Sequence, residues 1–577
     1  MNKTAGTAAA VPEAAPVPSE APTPTVPAAL HRAITLLAVI SLFIGTRNDW
    51  STAIATRPAI GGAITLGYAA ILILGILALV VRRRRALVLV DAGVLLLGIM
   101  LALCSYALSN GLNDETVLMT QATHELVHGH LVYGQEWPWV FERSHVGVTK
   151  TMSGGADYSF AYPPLTVLLN APAYVLIGAK AITLVPTLLL IIGAVALWVM
   201  LPTPWRSAAT AVCLGFPMLK MYAAMGYPAI PALVLLIPVV VRWPSIGAGG
   251  RLSRSDIARA VCLGAACATQ QLPWFLTPFL LAGVYAVRRG ELPARTALAV
   301  VARFTGIAAV VALAANAYFV IQSPRAWLTG LALPFTQHGV LHGQGIMGLS
   351  YYFTNGSSRL DFYSYGSMLL AVGLLVLFVL FVRRLGPAAT VLPWCAFYLA
   401  TRSQDGYYLM MTPLWIAAAA TAPGSAFASA WQPRLPLGRL SQPRRRAARA
   451  ALAAAVLAPA AACVAIAAAS APPLRLAIGT VGAAGGGIST LTVQATNNGD
   501  TALTPNFATS TGEGTSAYWT VRSGPSVLAP HQSARYVLVP ANGRFPIPNR
   551  THLRVRLRAF TDRPQTLSSA DIHVPKR

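Results

Sequence analysis

Long runs of apolar residues recur along most of the 577-residue chain, and they constrain its fold more than any other feature. A helix needs about 20 mainly apolar residues to cross a bilayer. Only 11% of the residues are charged, far below the roughly 25% that is usual in soluble domains. The sequence therefore predicts a mainly α-helical, polytopic membrane bundle. Suitable runs lie at 30–46, 60–81, 86–108, 181–201, 207–225, 228–241, 297–320, 366–382, 387–402, 406–421 and 448–470.

Two further apolar segments do not read as simple spans. The stretch 258–287 is too long for one helix, is interrupted by Gln270 and Gln271, and has basic residues on both sides. We expect a hairpin of two short helices whose apex brings these glutamines towards the outer face. The segment 163–178 begins with two prolines and is marginal in length, so we expect a re-entrant helix. Together these segments predict about 13 spans plus one re-entrant helix.

The basic residues set the predicted orientation. The chain carries 43 Lys and Arg against 18 Asp and Glu, a net charge of +25. Its Arg clusters at 82–85, 383–384 and 444–446 lie at the ends of apolar runs, the pattern of cytoplasmic loops in a multi-pass plasma-membrane protein. We therefore expect the basic residues to interact with membrane lipids and not with nucleic acid. This orientation places residues 109–162 (loop A) and 322–365 (loop B) outside.

The two ends of the chain differ from the apolar body at 29–470. Residues 1–28 are rich in Ala, Pro and Thr and lack an apolar core, which predicts a disordered cytoplasmic arm. Residues 471–577 alternate apolar and polar side chains between turn sequences, as in Leu491-Thr492-Val493. This alternation predicts an extracytoplasmic antiparallel β-sandwich. It could hold an acceptor glycan, dock a partner or serve as a structural cap.

Loop A holds the densest group of polar side chains. Asp114-Glu115 follows the third apolar run, and a predicted surface helix over 115–131 carries His124 and His128. Asp157 and the sequence Tyr162-Pro163-Pro164-Leu165 follow. Such groups could bind a polar substrate beside the membrane, or could be ordinary polar residues near lipid headgroups.

These motifs, in this order, resemble the GT-C glycosyltransferases, and the resemblance covers roughly residues 86–420. That family uses polyprenyl-phosphate sugars outside the cytoplasmic membrane, and the bacterial mannosyl- and arabinosyltransferase-like branches are the most similar. The resemblance implies inverting sugar transfer to an envelope glycan or glycolipid, with Asp114 as general base. Glu115 would orient that base or bind sugar hydroxyls. Two features depart from the family pattern: two spans precede the span that carries the Asp, and no clear equivalent of the phosphate-binding basic residue is found.

The outer segments supply further candidates for binding the substrate. Arg402 suits phosphate oxygens because its guanidinium presents several donors in a fixed fork. His124 and His128 are four residues apart but lack a third metal ligand, so no metal site and no cofactor besides the lipid-linked sugar is predicted; a need for a divalent ion stays open. The full set of substrate-binding candidates is His124, His128, Lys150, Tyr162, Gln270, Gln271, His338, His342 and Arg402.

Two other functions remain open from the sequence. A transporter or flippase of a lipid-linked substrate would also be polytopic, although such proteins usually show paired broken helices in two related halves. A noncatalytic scaffold for envelope assembly is the other alternative, and the acidic pair alone does not exclude it. The Ala-, Arg- and Pro-rich composition is typical of a high-GC bacterium, which favours decaprenyl-phosphate mannose or arabinose as donor.

Overall fold

The structure, a computed structural model, describes residues 29–436, 441–484, 486–547 and 554–573, so the predicted arm at 1–28 lies outside the described residues. Within these residues the chain is mainly helical, as predicted. Seven helices are long and apolar enough to cross a membrane. They are Ala29–Thr56, Pro58–Val80, Arg84–Leu108, Leu165–Met200, Ala294–Gln322, Asp361–Leu380 and Gln442–Ala469.

The first part of the bundle is joined by a buried polar cluster around Asp91. Its carboxylate is bonded by His31 Nε2 at 2.6 Å, Thr35 Oγ1 at 2.7 Å and Ser207 Oγ at 2.6 Å. A carboxylate away from water needs such partners, so this cluster holds three helices together. The helices of this part are α1 (Ala29–Thr56), α2 (Pro58–Val80), α3 (Arg84–Leu108), α4 (Asp114–Val127), α5 (Pro138–Ser144), α6 (Leu165–Ile177), α7 (Ala181–Met200), α8 (Arg206–Thr210), α9 (Pro217–Ala224) and α10 (Ala229–Val240).

The second part contains the predicted hairpin, in which α11 and α12 meet at Gln270 and Gln271. Residues 387–402 and 406–421 were also predicted as spans, but they form a 3-10 segment at Leu392–Leu399 and two short helices. The count of about 13 spans is therefore not confirmed. The helices here are α11 (Arg254–Cys267), α12 (Leu272–Glu291), α13 (Ala294–Gln322), α14 (Pro324–Thr336), α15 (Asp361–Leu380), α16 (Val382–Leu385), α17 (Asp405–Leu409), α18 (Thr412–Thr421) and α19 (Gln442–Ala469).

Helix α6 begins and ends near the same end of the bundle. Its first backbone N–H, from Leu165, donates to the carbonyl of Ala268 at the hairpin apex, at 2.8 Å. The helix that follows it, α7, begins beside the end of α3, where Thr183 Oγ1 lies 3.3 Å from the Tyr106 hydroxyl. The 13 residues of α6 extend about 20 Å, less than the roughly 30 Å of a hydrocarbon core. These positions support the prediction that α6 does not cross.

The C-terminal residues, together with one short strand from loop B, form two five-stranded sheets that share one apolar core. On the central strand of the first sheet, Leu491, Val493 and Ala495 alternate inward, as the period of a strand requires. The described strands are β1 (His342–Gly343), β2 (Gly356–Ser357), β3 (Arg402–Ser403), β4 (Leu474–Ala484), β5 (Gly487–Asn497), β6 (Asn506–Thr511), β7 (Gly514–Thr515), β8 (Thr520–Ser523), β9 (Ser533–Val539), β10 (Phe545–Pro546), β11 (Val555–Thr561) and β12 (Thr566–Asp571). The sheet orders are β10-β5-β9-β8, with β4 also paired to β5, and β2-β12-β11-β6-β7.

The second sheet is built partly from loop B. Strand β2 of this loop pairs with β12, placing Ser357 opposite Leu567. Arg558 on β11 is buried, donates to the Tyr351 carbonyl at 2.6 Å and lies 3.5 Å from the centre of the Tyr351 ring. Burial lowers the pKa of this guanidinium to about 10. Loop B and the C-terminal sheets are thus one packed structure.

Candidate functional site

A cavity of about 600 Å³ lies where α3 ends and α4 begins. Loop A, the α11–α12 apex, loop B, residues 397–410 and the turn between β11 and β12 form its walls. Segments far apart in sequence therefore converge here. Seven of the predicted site residues line it: Asp114, Glu115, Tyr162, Gln270, Gln271, His338 and Arg402.

The acidic pair lies in the first turn of α4. This helix begins at Asp114 because the Asn113 side chain caps it, accepting from the Thr116 backbone N–H at 2.8 Å. Carboxylates are favoured at this end by the helix dipole. The apolar side of α4, including Leu118 and Ala122, packs into a buried cluster, so the first turn is fixed at the cavity. The cap and the packing together place both carboxylates.

Glu115 has two carboxylate oxygens in different surroundings. The Tyr162 hydroxyl donates to Oε1. Oε2 is buried and has no hydrogen-bond partner among the described residues. Burial, and then the neighbouring Asp114, raise the pKa of Glu115 to about 8. Glu115 is therefore mostly a neutral carboxylic acid at pH 7.

Thr149 links Asp114 to Arg402, the one guanidinium among the described residues that line the cavity. Its hydroxyl donates to Asp114 Oδ2 at 3.3 Å and accepts from Arg402 Nη2 at 3.3 Å. Arg402 is held on β3, which pairs with β1 in register with His342. Its Nε is buried without a partner in the described part of the chain. A cation and a carboxylate thus face one cavity through a shared hydroxyl.

Several other polar groups, which the sequence did not single out as site residues, also line the cavity. Asp157 accepts from the Ser159 backbone N–H at 3.1 Å, and burial raises the pKa of its carboxyl. Thr149 carries no signal in the sequence, because only the folding of loop A brings it to Asp114. Asp157 was noticed in the sequence as a polar group of loop A between the acidic pair and the Tyr162 motif, but it was not assigned to the site. The other polar residues of this kind include Ser159, Tyr222, Tyr227, Gln337, Asp361, Ser364, Ser367, Thr401, Gln404, Tyr407 and Gln565.

One wall of the cavity is apolar. Phe275 of α12 and Phe397 face it from inside the bundle. Phe335 of α14 and Tyr365 and Met368 of α15 also line it, and their exposed fractions are 52%, 54% and 54%. The apolar wall therefore continues to the surface of the helical bundle.

Three of the predicted residues that line the cavity use their side chains in hydrogen bonds to its walls. Gln271 Nε2 donates to the Ala161 carbonyl at 2.7 Å, and Gln270 Oε1 accepts from the Leu272 N–H at 2.7 Å. His338 Nδ1 lies 2.7 Å from Asp562 Oδ1 in the β11–β12 turn. These contacts fix the hairpin apex and bring the C-terminal sheets to the cavity.

Four predicted residues do not line the cavity. His124 and His128 lie at the far end of α4, with ring centres 4.2 Å apart, because ten residues of helix extend about 15 Å beyond Asp114. Lys150 instead donates to the Thr515 carbonyl at 3.0 Å and ties loop A to β7. His342 lies on β1, beside Arg402 on β3. Burial, and then the positive charge of Arg402, lower the pKa of the His342 imidazole.

The chain matches no protein-family model, and no curated protein matches it in sequence. Among the residues that the structure describes, no group of three or more His, Cys, Asp or Glu side chains could hold a metal ion. The chemistry of the site must therefore be inferred from its own residues.

Proposed function

We propose that the protein is a GT-C-type membrane glycosyltransferase. It would move a sugar from a polyprenyl-phosphate donor to an envelope glycan or glycolipid on the extracytoplasmic face. The observation that carries this proposal is the Asp114–Thr149–Arg402 arrangement inside a cavity with one apolar wall. A lipid-linked sugar phosphate needs all three elements: a carboxylate for the acceptor hydroxyl, a cation for the phosphate, and apolar surface for the lipid.

In the proposed reaction, Asp114 takes the proton of the acceptor hydroxyl as its oxygen bonds to the anomeric carbon. The bond between that carbon and the phosphate oxygen breaks on the opposite face, so the configuration inverts. The polyprenyl phosphate leaves with the bonding electrons and is stabilised by the Arg402 guanidinium. Thr149 positions Asp114 and Arg402 relative to each other.

The proposed membrane arrangement follows from the charged ends of the helices. The Arg82–Arg85 cluster lies at the start of α3, and the cavity lies beyond its other end. Since basic clusters stay in the cytoplasm, the cavity would be extracytoplasmic in the plasma membrane. The C-terminal sheets, as a β-sandwich on the same side, would border the acceptor through Gln565. The proposed arrangement has about 13 membrane spans, with α6 as a re-entrant helix.

Sidedness can be tested with a single cysteine introduced at His130 on a cysteine-free background. His130 is largely exposed, with 65% of its side chain accessible. A membrane-impermeant thiol reagent should label it in intact cells. Labelling only after lysis would overturn the orientation.

Asp114→Asn tests the general base. We expect glycosyl transfer from the polyprenyl-phosphate donor to fall by at least about 100-fold, because the amide cannot accept the hydroxyl proton. The thermal unfolding temperature in detergent should stay close to that of the wild type. Glu125→Gln, at the far end of α4, is the matched control and should change the rate less than about twofold. Full activity in Asp114→Asn would remove the base assignment.

A further inference from the structure

Three buried hydrogen-bonding atoms on residues that line the cavity have no partner among the described residues. They are Oε2 of Glu115, Nε of Arg402 and Oε1 of Gln337. The positive charge of Arg402 also acts on the Glu115 carboxyl. A buried polar atom without a partner is costly, so such atoms at a cavity indicate a ligand that completes their bonds.

The hydrogen bond from Tyr162 determines which oxygen of Glu115 carries the proton. The Tyr162 hydroxyl donates to Oε1, and no other acceptor for it is found in the described part of the chain. A neutral carboxylic acid has one proton, and Oε1 already accepts, so the proton lies on Oε2. The unpartnered Oε2 is therefore a donor, as Arg402 Nε–H is.

The charges that act on Glu115 come from loop A and from the segment that carries Arg402. Asp114 and Asp157 contribute negative charge, and Arg402 contributes the opposing positive charge. An ionised Glu115 beside Asp114 would repel any anion that entered. The remaining titratable groups that interact with Glu115 are the phenols Tyr162, Tyr227 and Tyr407.

We infer that Glu115 acts as a neutral acid whose Oε2–H, together with Arg402 Nε–H, donates to an anionic phosphate oxygen of the lipid-linked substrate. This inference rests on the proposed donor class. Sugar hydroxyls both donate and accept hydrogen bonds, so an ionised carboxylate would bind them as well as a neutral acid would. The unesterified oxygens of a phosphodiester only accept, so they require donors. A protonated Glu115 supplies one and keeps a negative charge away from the phosphate.

The test measures binding of a prenyl methyl phosphate diester to the purified protein in detergent, from about pH 6.5 to about pH 9.5. This probe carries one constant negative charge, so pH changes act on the protein. In the wild type, the dissociation constant should be steady below about pH 8 and then rise about tenfold per pH unit. Glu115→Gln keeps a donor, and should bind tightly with a dissociation constant that does not change across this range.

Glu115→Leu removes the donor and should bind about tenfold more weakly or worse, with no pH dependence. Equal affinity of Glu115→Leu and the wild type would overturn the inference and leave the donor class intact. If the dissociation constant of Glu115→Gln rises with pH as it does in the wild type, the inference is also overturned and the donor class stays intact. If Glu115→Leu does not fold, the result for Glu115→Gln alone tests the inference. Failure of the wild type to bind the diester at any pH would overturn the proposed donor class and the inference together.

Discussion

The two ends of α4 carry equally polar side chains in very different surroundings. At its beginning, Asp114 and Glu115 lie in a cavity and contact Thr149 and Tyr162 from other parts of loop A. At its end, the rings of His124 and His128 pack against each other at a tilt, and His124 contacts Tyr174 of α6, outside the cavity lining. One helix thus presents a candidate site at one end and a set of histidine contacts outside that site at the other.

The difference shows what makes polar residues into a candidate site. Both ends of α4 could be noticed in the sequence because they are rich in ionisable groups. Only the first end is met by a cation from a distant segment, Arg402, through a bridging hydroxyl. Among the described residues, the cation brought from a distant segment into the cavity distinguishes the two ends.

Arg402→Gln should have the largest effect among the partners of α4. We expect the KM for the polyprenyl-phosphate donor to rise by about 10-fold to 100-fold, because a charge-assisted bond to the phosphate is lost. Arg359→Gln is the matched control, since Arg359 is an exposed arginine of loop B that does not line the cavity. Steady-state kinetics over a range of donor concentrations would measure both. Equal KM values in the two variants would remove Arg402 from phosphate binding.

Glu115→Gln should change how stability depends on pH. The pKa of this carboxyl rises from 4.5 to about 8 on folding. Between these values the folded protein keeps a proton that the unfolded chain has released, so the free energy of unfolding falls as pH rises. From about pH 6 to about pH 9, the wild-type Tm should drop by about 3 °C or more beyond any drop in Glu115→Gln. Parallel Tm curves would show that Glu115 is ionised in the folded protein.

His124→Ala and His128→Ala should have the smallest effects. Their imidazoles contact each other and Tyr174, and they do not line the cavity. We expect kcat/KM to change less than about twofold in either variant. A tenfold loss of kcat/KM, with an unchanged Tm, would mean that the far end of α4 also contacts substrate and that the substrate site extends beyond the cavity.

The sequence predicted the features that depend on local composition. Runs of about 20 apolar residues predicted the membrane-length helices. The polar break at Gln270 and Gln271 gave the α11–α12 hairpin, and the prolines before Leu165 gave the start of α6. The same rule failed over 207–225, where a π-helical turn at Ala211–Gly215 and the extended residue Phe216 interrupt the helix. Apolar composition alone does not tell a straight span from a broken, buried one.

Long-range contacts could not be predicted in this way. The partnership of Thr149 with Arg402 joins residues that are 253 positions apart, with loop B and much of the helical bundle between them. Lys150, one residue further on, was expected to bind substrate and instead bonds to the Thr515 carbonyl. The strand that loop B adds to the C-terminal sheet has only two residues, too few for a pattern of alternation to appear.

The most direct test of this account supplies membranes that contain the protein with a panel of labelled polyprenyl-phosphate sugars. The account predicts that one donor transfers its label to an envelope glycan or glycolipid with inversion at the anomeric carbon. Membranes with the Asp114→Asn variant should form almost none of this product. Movement of the lipid-linked label across the membrane, with no new glycosidic bond from any donor, would contradict the account and favour a transporter.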